Sequence, residues 1–298
     1  MPHEITLPSY AKVNLYLRVL GRRDDGYHEL STVFQTVSLH DSITFVEADD
    51  LSLTWNQTEV AISNDNLIIR AANELKRWFK VERGARINLV KTIPAPGGLG
   101  GGSSNAAVTL LGLSRLWKLK PTSVELQQLA SKIGSDVPFF LHGGLCLGSG
   151  RGEQIEELAD QPIGPMLIVT PKVAVHTPEA FYGLSAPNLT KQGLNRNLSV
   201  CRNEAKSLDL LHSALINDLE ASVFGAYPEV RRVKETLLGL GAQNAAMSGS
   251  GASVFATFDK EETRQAALKA LDNEVNWRKF AVAAISRTEY REALKFVL

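Results

Sequence analysis

Alternating apolar and polar side chains mark the beginning of the chain. From Tyr10 to Leu20 the apolar residues point to one side of an extended strand, because strand side chains alternate with period two. Lys12 and Asn14 fall on the other side. An Asp25-Gly26 turn signal follows, and a second β-prone run covers Leu30 to Val37. The pattern predicts a hairpin with Lys12 and Asn14 on one polar face, for which a solvated strand surface is the plainer interpretation.

A glycine-rich loop lies between a predicted strand and a predicted helix. The strand covers Ala85 to Ile93, and apolar residues from Ala106 to Trp117 recur at the spacing of an amphipathic helix. Five of the six residues from Gly97 to Gly102 are glycine, so backbone N–H groups can approach a ligand without a Cβ in the way. Ser103 and Ser104 follow, where the helix exposes unpaired N–H groups. This arrangement predicts an anion site, most naturally for phosphates.

Three other interpretations of the loop fit less well. A Walker A loop requires a lysine, and none lies between Pro94 and Ala106. The dinucleotide fingerprint requires Gly-x-Gly-x-x-Gly, which no register of this loop supplies. A flexible Gly/Ser linker between domains would not need a flanking strand and helix. The sequence therefore favours a phosphate loop of another class.

A third informative stretch surrounds Asp136. Thr122-x-x-Glu125 is a capping box that opens a helix, and Gly134 is placed to end it. Asp136 lies just after that end and just before a proline and two phenylalanines. It could cap the next helix, as aspartate often does before a proline-containing first turn. It could also act as a general base, and the two roles are compatible if the cap lies in a cleft.

Composition narrows the class of protein. The chain has 298 residues, which suggests two domains. Its 32 Lys+Arg balance 32 Asp+Glu, which disfavours binding to nucleic acid or to an acidic membrane. Two cysteines cannot build a disulfide framework or a four-ligand zinc site. With no long apolar run and no leader pattern, we expect a cytoplasmic protein without a membrane span.

Taken together, these motifs resemble those of the GHMP kinases, a superfamily of small-molecule kinases. Gly26-Tyr27-His28 is the distinctive element, and it narrows the resemblance to members that phosphorylate a cytidine-diphosphate-linked alcohol. One departure is Pro96, where the family usually has glycine; it stiffens the entrance of the loop and leaves the rest intact. The resemblance rests on segments spread over nearly the whole chain: Lys12-x-Asn14, Asp25–His28, Asp65–Ile68, Pro94–Ala107, Gly134–Pro138, Asn217–Glu220 and Ser248–Ala252.

The resemblance implies an α+β fold of two domains. Residues 1–160 would form the N-terminal ATP-binding domain and residues 161–298 a ferredoxin-like C-terminal substrate domain, with the active site in the cleft between them. The end of the chain, Tyr290 to Leu298, would stay with the second domain or return to the first. The sequence pattern of the second half agrees with this order: strands at Met166–Thr170, Ala252–Phe258 and Phe280–Ile285, and helices at Thr177–Tyr182, Ser213–Phe224, Pro228–Leu238 and Glu261–Leu271.

The resemblance also implies a reaction, in which ATP phosphorylates the C2 hydroxyl of 4-diphosphocytidyl-2-C-methyl-D-erythritol in the non-mevalonate route to isopentenyl diphosphate. Asp136 would accept the hydroxyl proton, and Lys12 would keep Asp136 ionised and offset the charge of the transition state. Mg²⁺ would bridge the phosphates, with Ser104 as a candidate ligand. The residues implied to bind ATP form one loop: Pro94, Ala95, Pro96, Gly97, Gly98, Leu99, Gly100, Gly101, Gly102, Ser103 and Ser104.

Five residues are implied to bind the second substrate: Asn14, Tyr27, His28, Thr177 and Phe181. His28 would hydrogen-bond the cytosine edge, while Tyr27 and Phe181 would offer flat faces for stacking. Asn14 would contact the methylerythritol or the catalytic pair. Thr177 begins a predicted helix, so a plain cap is an equally good interpretation of it.

Two other functions remain open from the sequence. A homoserine or mevalonate kinase would use the same loop on another alcohol, although neither substrate has a pyrimidine for Tyr27 and His28 to bind. A non-enzymatic nucleotide sensor would keep the loop without needing both Lys12 and Asp136. We expect two small-molecule partners, ATP and the cytidine-linked alcohol, no nucleic acid or membrane, and a monomer or weak homodimer.

Overall fold

Two long antiparallel strands form the centre of the molecule. The computed structural model describes residues 4–56, 58–60, 63, 65–182, 184, 199–204, 206–207 and 214–295. Strand β1 (Glu4–Arg22) pairs with β2 (His28–Ala48) from the hairpin turn to the opposite end of the sheet. Both strands therefore extend well beyond the segments that the alternation predicts. The hairpin itself is confirmed.

The first sheet grows from these two strands. Its other strands are short: β3 (Leu51–Trp55), β4 (Thr58–Val60), β5 (Gly84–Val90), β6 (Leu145–Gly150), β7 (Gln154–Glu157) and β9 (Ile216–Asn217). Because β2 is 21 residues long, its C-terminal half pairs with β5 and its N-terminal half with β6. The order of the main path is β4-β3-β5-β2-β1-β9, and β7 pairs with the outer side of β6.

Four helices pack with the first sheet: α1 (Leu67–Phe79), α2 (Gly101–Leu116), α3 (Ser123–Ile133) and α4 (Phe139–His142). Helix α3 has the predicted capping box, and Gly134 is its C-cap. Helix α2 is buried on nearly all sides, so the amphipathic pattern describes it incompletely. A buried hydroxyl on this helix is satisfied by a backbone carbonyl of the preceding turn: Thr109 Oγ1 donates to the carbonyl oxygen of Asn105 at 2.7 Å. Within the described ranges, no helix has both the length and the apolar character that crossing a bilayer would require.

The second sheet contains four strands: β8 (Met166–Pro171), β10 (Asn244–Met247), β11 (Val254–Thr257) and β12 (Trp277–Val282). Its helices are α5 (Thr177–Tyr182), α6 (Glu220–Ala226), α7 (Pro228–Gly239) and α8 (Glu261–Ala270). The strands are antiparallel in the order β10-β11-β8-β12. Along the chain, β8 and the helices α5, α6 and α7 precede the β10–β11 hairpin, and α8 and β12 follow it. That arrangement is the one of a ferredoxin-like unit, so the predicted α+β two-part fold is confirmed.

The prediction of one helix over Ser213–Phe224 is wrong in its first half. Ser213 lies outside the described residues, and β9 occupies Ile216–Asn217, where it pairs in parallel with β1. The helix begins only at Glu220. The Asn217 side chain explains the change, because it donates to the carbonyl oxygens of Met247 at 2.7 Å and Gly249 at 2.8 Å. Those tertiary bonds outweigh the helical pattern.

The end of the chain packs on the first sheet. Helix α9 (Arg287–Leu294) buries Tyr290, whose hydroxyl donates to the carbonyl of Phe140 at 2.6 Å. Just before it, Ala284 forms a bridge with Val37 of β2. The last described helix is thus held by the first half of the chain, while a domain boundary at residue 160 stays a prediction.

Gly112 in the middle of α2 tests whether packing or helix propensity decides stability there. Alanine is favoured over glycine by roughly 1 kcal/mol in a helix interior. However, a Cβ at Gly112 would overlap the fully buried ring of Phe45, and overpacking of a core costs roughly 1–3 kcal/mol. The overlap is severe, with the Cβ position far inside contact distance of a ring carbon of Phe45, so the packing cost should lie in the upper part of that range. After the gain in helix propensity is subtracted, we expect Gly112→Ala to lower the free energy of unfolding by about 1–2 kcal/mol in urea denaturation.

Gly239→Ala is the matched control for that measurement. Gly239 ends helix α7, and nothing lies within 4 Å of the position its Cβ would take. Its free energy of unfolding should stay the same or rise slightly. A Gly112→Ala protein as stable as the Gly239→Ala protein would contradict the packing argument.

Candidate active site

The three informative stretches of the sequence meet in one cleft. A cavity of about 440 Å³ lies where β1, the N-terminus of α2 and the turn after α3 approach the second sheet. The second half contributes the turn Gly249–Gly251 and the start of α5. Residues far apart in the chain therefore line a single space between the two sheets.

Lys12 is a buried cation at the base of this cavity. Only 3% of its surface is exposed, and 2% of that of Asn14, so the solvated-strand interpretation of the two residues is wrong. The Lys12 Nζ donates to Asn14 Oδ1 at 2.6 Å and lies 3.5 Å from Asp136 Oδ2. It also lies over the ring of Phe34, 5.3 Å from the centroid. A buried ammonium group requires such partners, since an isolated buried charge is very costly.

Hydrogen bonds across the hairpin fix the Asn14 amide. Its Nδ2 donates to Thr32 Oγ1 at 2.8 Å, and that hydroxyl donates to the carbonyl of Tyr16 at 2.8 Å. The amide oxygen is thereby directed at Lys12. Thr32 was not predicted as part of the site, because its place opposite β1 depends on bulges in the strand register that the alternation does not show.

Asp136 lies in the turn between α3 and α4, with 31% of its side chain exposed. The cap of α4 falls on Pro138, and no side chain caps that helix. The capping alternative for Asp136 is therefore not observed. Gly152 packs beside it, where a Cβ would lie 3.8 Å from Asp136 Oδ1. The carboxylate thus combines one buried cationic neighbour with access to the cavity.

The glycine loop leads into α2, which begins two residues before Ser103. Gly100 is the N-cap and the helix begins at Gly101, so the N–H of Ser104 already bonds within the helix, to Gly100 O at 2.8 Å. The first N–H groups of a helix have no partner inside it. Those of Gly101, Gly102 and Ser103 line the cavity and are the free donors for an anion.

Ser104 does not fit the predicted role of magnesium ligand. Its side chain is fully buried, and its hydroxyl accepts a hydrogen bond from Ser9 Oγ at 2.8 Å. The neighbouring Ser103 lines the cavity instead. Among the residues that the structure describes, no three histidine, cysteine or carboxylate side chains are grouped closely enough to hold a metal.

The second half of the chain braces the glycine loop. Gly98 has φ of +70°, and a Cβ there would overlap the carbonyl oxygen of Ser248. Ser248 Oγ donates to Gly98 O at 2.9 Å, and the N–H of Ser253 donates to Gly97 O at 3.2 Å. Gly249 of the second half also packs on this part of the site, because a Cβ on Gly249 would lie 3.2 Å from Lys12 Nζ. The loop conformation therefore depends on contact between the two halves.

Asp41 anchors the entrance of the loop, and the sequence analysis missed it. This fully buried carboxylate accepts hydrogen bonds from the N–H groups of Thr92 at 2.7 Å and Ile93 at 2.8 Å. It also binds Lys91 Nζ at 2.8 Å. Burial lowers the pKa of Lys91, and the attraction of Asp41 opposes that effect. A lone aspartate in a long strand carries no local signal for this role.

A second, larger cavity of about 1160 Å³ adjoins the first. His28 and Phe181 stack in its wall, with ring centroids 5.0 Å apart and an interplanar angle of 22°. Tyr27 is 57% exposed and also lines it. Thr177 Oγ1 lies 3.0 Å from Ser250 Oγ, so this residue contacts the turn of the second half. The five predicted substrate residues thus line the joined cavities, Asn14 in the first and the others in or beside the second.

Burial and the positive charge of Arg22, in that order, lower the pKa of His28 below its usual value. The ring is therefore neutral at pH 7, with one nitrogen as donor and the other as acceptor. Because its two nitrogens point in different directions, a neutral imidazole of this kind can pair through one nitrogen with a donor or an acceptor on the edge of a planar ligand. Arg151, which the sequence analysis did not single out, lines both cavities.

The arrangement suits transfer of a phosphoryl group. Free N–H groups at the start of α2 can hold phosphates, and Lys12 lies where negative charge would develop. Asp136 is placed to accept a proton in the same cavity. Such reactions need little covalent chemistry from the protein and depend on positioning and charge neutralisation.

Comparison with known protein families agrees with this chemistry. The family model described as GHMP kinases N terminal domain matches residues 66–144, and that described as GHMP kinases C terminal matches residues 200–276. A 4-diphosphocytidyl-2-C-methyl-D-erythritol kinase from Syntrophotalea carbinolica is 37% identical over 278 residues, which cover 93% of this chain and 97% of the relative. A protein of the same name from Chlorobaculum parvum is 39% identical over 256 residues, which cover 84% and 87% of the two chains.

Solved structures are similar over nearly the full length. A crystal structure of a 4-(cytidine 5'-diphospho)-2C-methyl-D-erythritol kinase matches with a TM-score of 0.76 at 32% identity, over 94% of this chain and 99% of the other. A homoserine kinase from Cytophaga hutchinsonii matches with a TM-score of 0.69 at 19% identity, over 96% of each chain. At that lower identity the likeness concerns the fold alone.

Proposed function

The chain belongs to the 4-diphosphocytidyl-2-C-methyl-D-erythritol kinases within the GHMP kinases, and from this premise we propose its reaction. It transfers the γ-phosphoryl group of ATP to the C2 hydroxyl of 4-diphosphocytidyl-2-C-methyl-D-erythritol, forming the 2-phosphate and ADP in the non-mevalonate route to isopentenyl diphosphate. The observation that carries the proposal is the Lys12–Asp136 pair, 3.5 Å apart, beside the first turn of α2.

Asp136 acts as the general base in this proposal. Its carboxylate reaches the cavity, so it can accept the proton of the attacking hydroxyl. Lys12 lies close enough to that carboxylate to stabilise negative charge on it and on the transferring group. Asn14 holds the ammonium group in position, because its amide oxygen accepts from Lys12 at 2.6 Å.

The loop from Pro94 to Ser103 binds ATP in this proposal. Its helix-terminal N–H groups and the dipole of α2 offset the charge of the phosphates. The bonds from Ser248 and Ser253 hold the loop in shape before ATP arrives. Preorganised donors of this kind cost no rearrangement during the reaction.

Mg²⁺ accompanies ATP in most such kinases and neutralises phosphate charge. Magnesium usually relies on one or two protein ligands together with phosphate and water oxygens. Ser103 and Asp136 are among the residues whose side-chain oxygens line the cavity, and they fit such a partial ligand set better than the buried Ser104. Magnesium dependence is therefore part of the proposed reaction.

The second cavity holds the cytidine end of the acceptor in this proposal. His28 is neutral, so one of its ring nitrogens can accept a hydrogen bond from the amino group of a cytosine edge. Phe181 and Tyr27 provide faces on which the base can stack. We also propose that the protein works in the cytoplasm on these two small molecules, without nucleic acid or membrane, as a monomer or weak homodimer.

Replacing Asp136 tests its role as base. Asp136→Asn preserves the shape of the side chain but removes its ability to accept a proton, so kcat should fall by roughly 10²–10⁴. The melting temperature should fall only modestly, because buried Lys12 loses a negative partner 3.5 Å away but keeps its hydrogen bond to Asn14 at 2.6 Å. Steady-state assay of ADP release and thermal unfolding measure the two effects.

Asp218→Asn is the matched control for this substitution. Asp218 is similarly exposed and pairs with Arg18 at 2.9 Å, but it lines neither cavity. Its kcat should remain near that of the unmodified protein. Near-normal turnover of a folded Asp136→Asn protein would remove Asp136 from the mechanism.

Gly102 is the position at which the phosphate role of the loop can be tested most cleanly. A Cβ at Gly101 would lie 3.0 Å from Ile93 and Lys91 and would disturb the loop itself, whereas one at Gly102 meets only Leu67 at 3.5 Å. Gly102→Val should therefore fold normally but crowd the phosphates, weakening ATP binding by roughly ten-fold or more. Calorimetry should show unchanged binding of CDP. Equal losses for ATP and CDP would indicate a structural role for the loop.

His28 tests the assignment of the cytidine substrate. His28→Ala should raise the KM for this substrate by roughly ten-fold, the size expected for one lost hydrogen bond to a buried base edge. The KM for ATP should change little, because ATP binds at the glycine loop. His40→Ala, at an exposed histidine of β2 outside both cavities, is the control and should leave both values unchanged.

The lowered pKa of His28 predicts that the KM for the cytidine substrate depends on pH. Since the pKa of His28 is lowered, the ring stays neutral above pH 6.5 and gains a proton only at lower pH. Protonation removes its acceptor nitrogen, so the KM for the cytidine substrate should be constant from neutral to alkaline pH and rise as the pH falls below that value. His28→Gln should not show this rise.

Efficient phosphorylation of homoserine or mevalonate, together with a His28→Ala protein whose KM is unchanged, would overturn the substrate assignment.

A further inference from the structure

The charges around the second cavity are of one sign. Among its described lining residues, the charged side chains are four cations and no carboxylate: Arg22, Arg70, Lys132 and Arg151. An enclosure with this charge favours a polyanionic ligand over a neutral one. Arg151 differs from the other three because it also lines the cavity that contains Lys12 and Asp136.

Arg151 lies between the stacking side chains and the catalytic pair. Its guanidinium group lies over the ring of Tyr27, 4.9 Å from the centroid. The next residue, Gly152, packs against Asp136, with its Cβ position 3.8 Å from Oδ1. Arg151 therefore contacts the wall proposed to bind the cytosine ring, and the next residue contacts the carboxylate proposed to accept the proton.

The Arg151 guanidinium retains capacity to bind an anion. Its side chain is 34% exposed, and the ion pair it forms with Glu153 is long, 3.9 Å. The Glu153 carboxylate instead accepts the backbone N–H of Arg151 at 2.6 Å. Asp25, which also feels the charge of Arg151, forms an ion pair with Arg23 at 3.1 Å. By contrast, the Arg70 guanidinium already donates to the carbonyl of Lys132 at 2.6 Å.

A buried carboxylate fixes the turn that carries Arg151. Glu29 accepts from the N–H of Gly150 at 3.0 Å and from Arg23 Nη1 at 2.8 Å. Glu29 directly follows His28 in β2, so the same strand positions the imidazole and the arginine turn. The distance between His28 and Arg151 is therefore set by the strand and by the Glu29 hydrogen bond to the turn.

We propose that Arg151 binds the diphosphate group of the cytidine substrate, an inference that rests on the proposed function. In that substrate the diphosphate joins the nucleoside to the alcohol. With the base at His28 and the hydroxyl at Asp136, the diphosphate spans the boundary of the two cavities, where Arg151 lies. The planar fork of a guanidinium group matches two phosphate oxygens, which makes arginine well suited to this contact.

A ligand series separates this role from a structural one. Calorimetry should compare cytidine, CMP, CDP and ATP on the full-length protein and on Arg151→Ala. Binding of CDP should weaken by about ten-fold, as expected for loss of a charge-assisted contact at a half-exposed site. Binding of CMP should weaken less, and that of cytidine and ATP by less than about two-fold. In the kinase assay, the KM for the cytidine substrate should rise about ten-fold, with kcat within about three-fold.

Two further variants sharpen the comparison. Arg151→Lys keeps the charge but loses the fork, so its affinity for CDP should fall between those of the unmodified protein and Arg151→Ala. Arg231→Ala is the matched control, because Arg231 also lies over an aromatic ring, that of Phe224 at 6.0 Å, and lines neither cavity. It should bind all four ligands normally.

Two results would overturn the proposal. Equal weakening of cytidine and CDP in Arg151→Ala would mean that the arginine acts by packing on Tyr27. Unchanged binding of CDP would mean that the diphosphate does not contact Arg151. Failure of the proposed function is distinguishable, because the unmodified protein would then bind neither cytidine nor CDP, and a diphosphate contact in this cavity would be excluded with it.

Discussion

The buried ammonium group of Lys12 is the constraint on which the site depends. Removing a cation from water is costly unless acceptors and negative charge surround it. The partners come from separate elements: Asn14 on the same strand at 2.6 Å, Asp136 after α3 at 3.5 Å, and the ring of Phe34 on β2. Satisfying this one charge therefore brings together the strand, the turn and the hairpin that form the first cavity. In the proposed reaction, the same charge remains available to stabilise the transferring phosphoryl group.

Contact between the two halves of the chain completes the cavity. Asn217 fixes the end of β10 and the turn after it by donating to the carbonyl groups of Met247 and Gly249. That turn packs on Lys12 and on the glycine loop. Ser248 in turn bonds to Gly98. A substitution in the second half can thus alter the phosphate loop of the first without touching a ligand, because packed interfaces transmit small displacements.

Positive potential extends along the joined cavities. It begins at the N-terminus of α2, continues through Lys12 and reaches Arg151 and the cations of the second cavity. Both proposed substrates carry phosphate groups, so this distribution attracts each of them and orients their phosphates toward the same region. Among the described residues that line these cavities, Asp136 is the one carboxylate, and it lies where the proposed reaction requires a proton acceptor. The chain as a whole has no net charge, so the selectivity for anions is local.

Local patterns in the sequence determined much of the fold and indicated the main candidate residues of the active site. The hairpin, the strand–glycine loop–helix unit and the Thr122–Glu125 capping box depend on neighbours in the chain, and the structure contains all three. The resemblance to GHMP kinases adds the two-part fold. Only the tertiary structure decided that Lys12 is buried, that Ser104 faces the core and Ser103 the cavity, and that Ile216–Asn217 is a strand. It also revealed Asp41, Thr32 and Arg151, since the partners that position these side chains follow from strand register and packing between distant segments, which short-range periodicity does not encode.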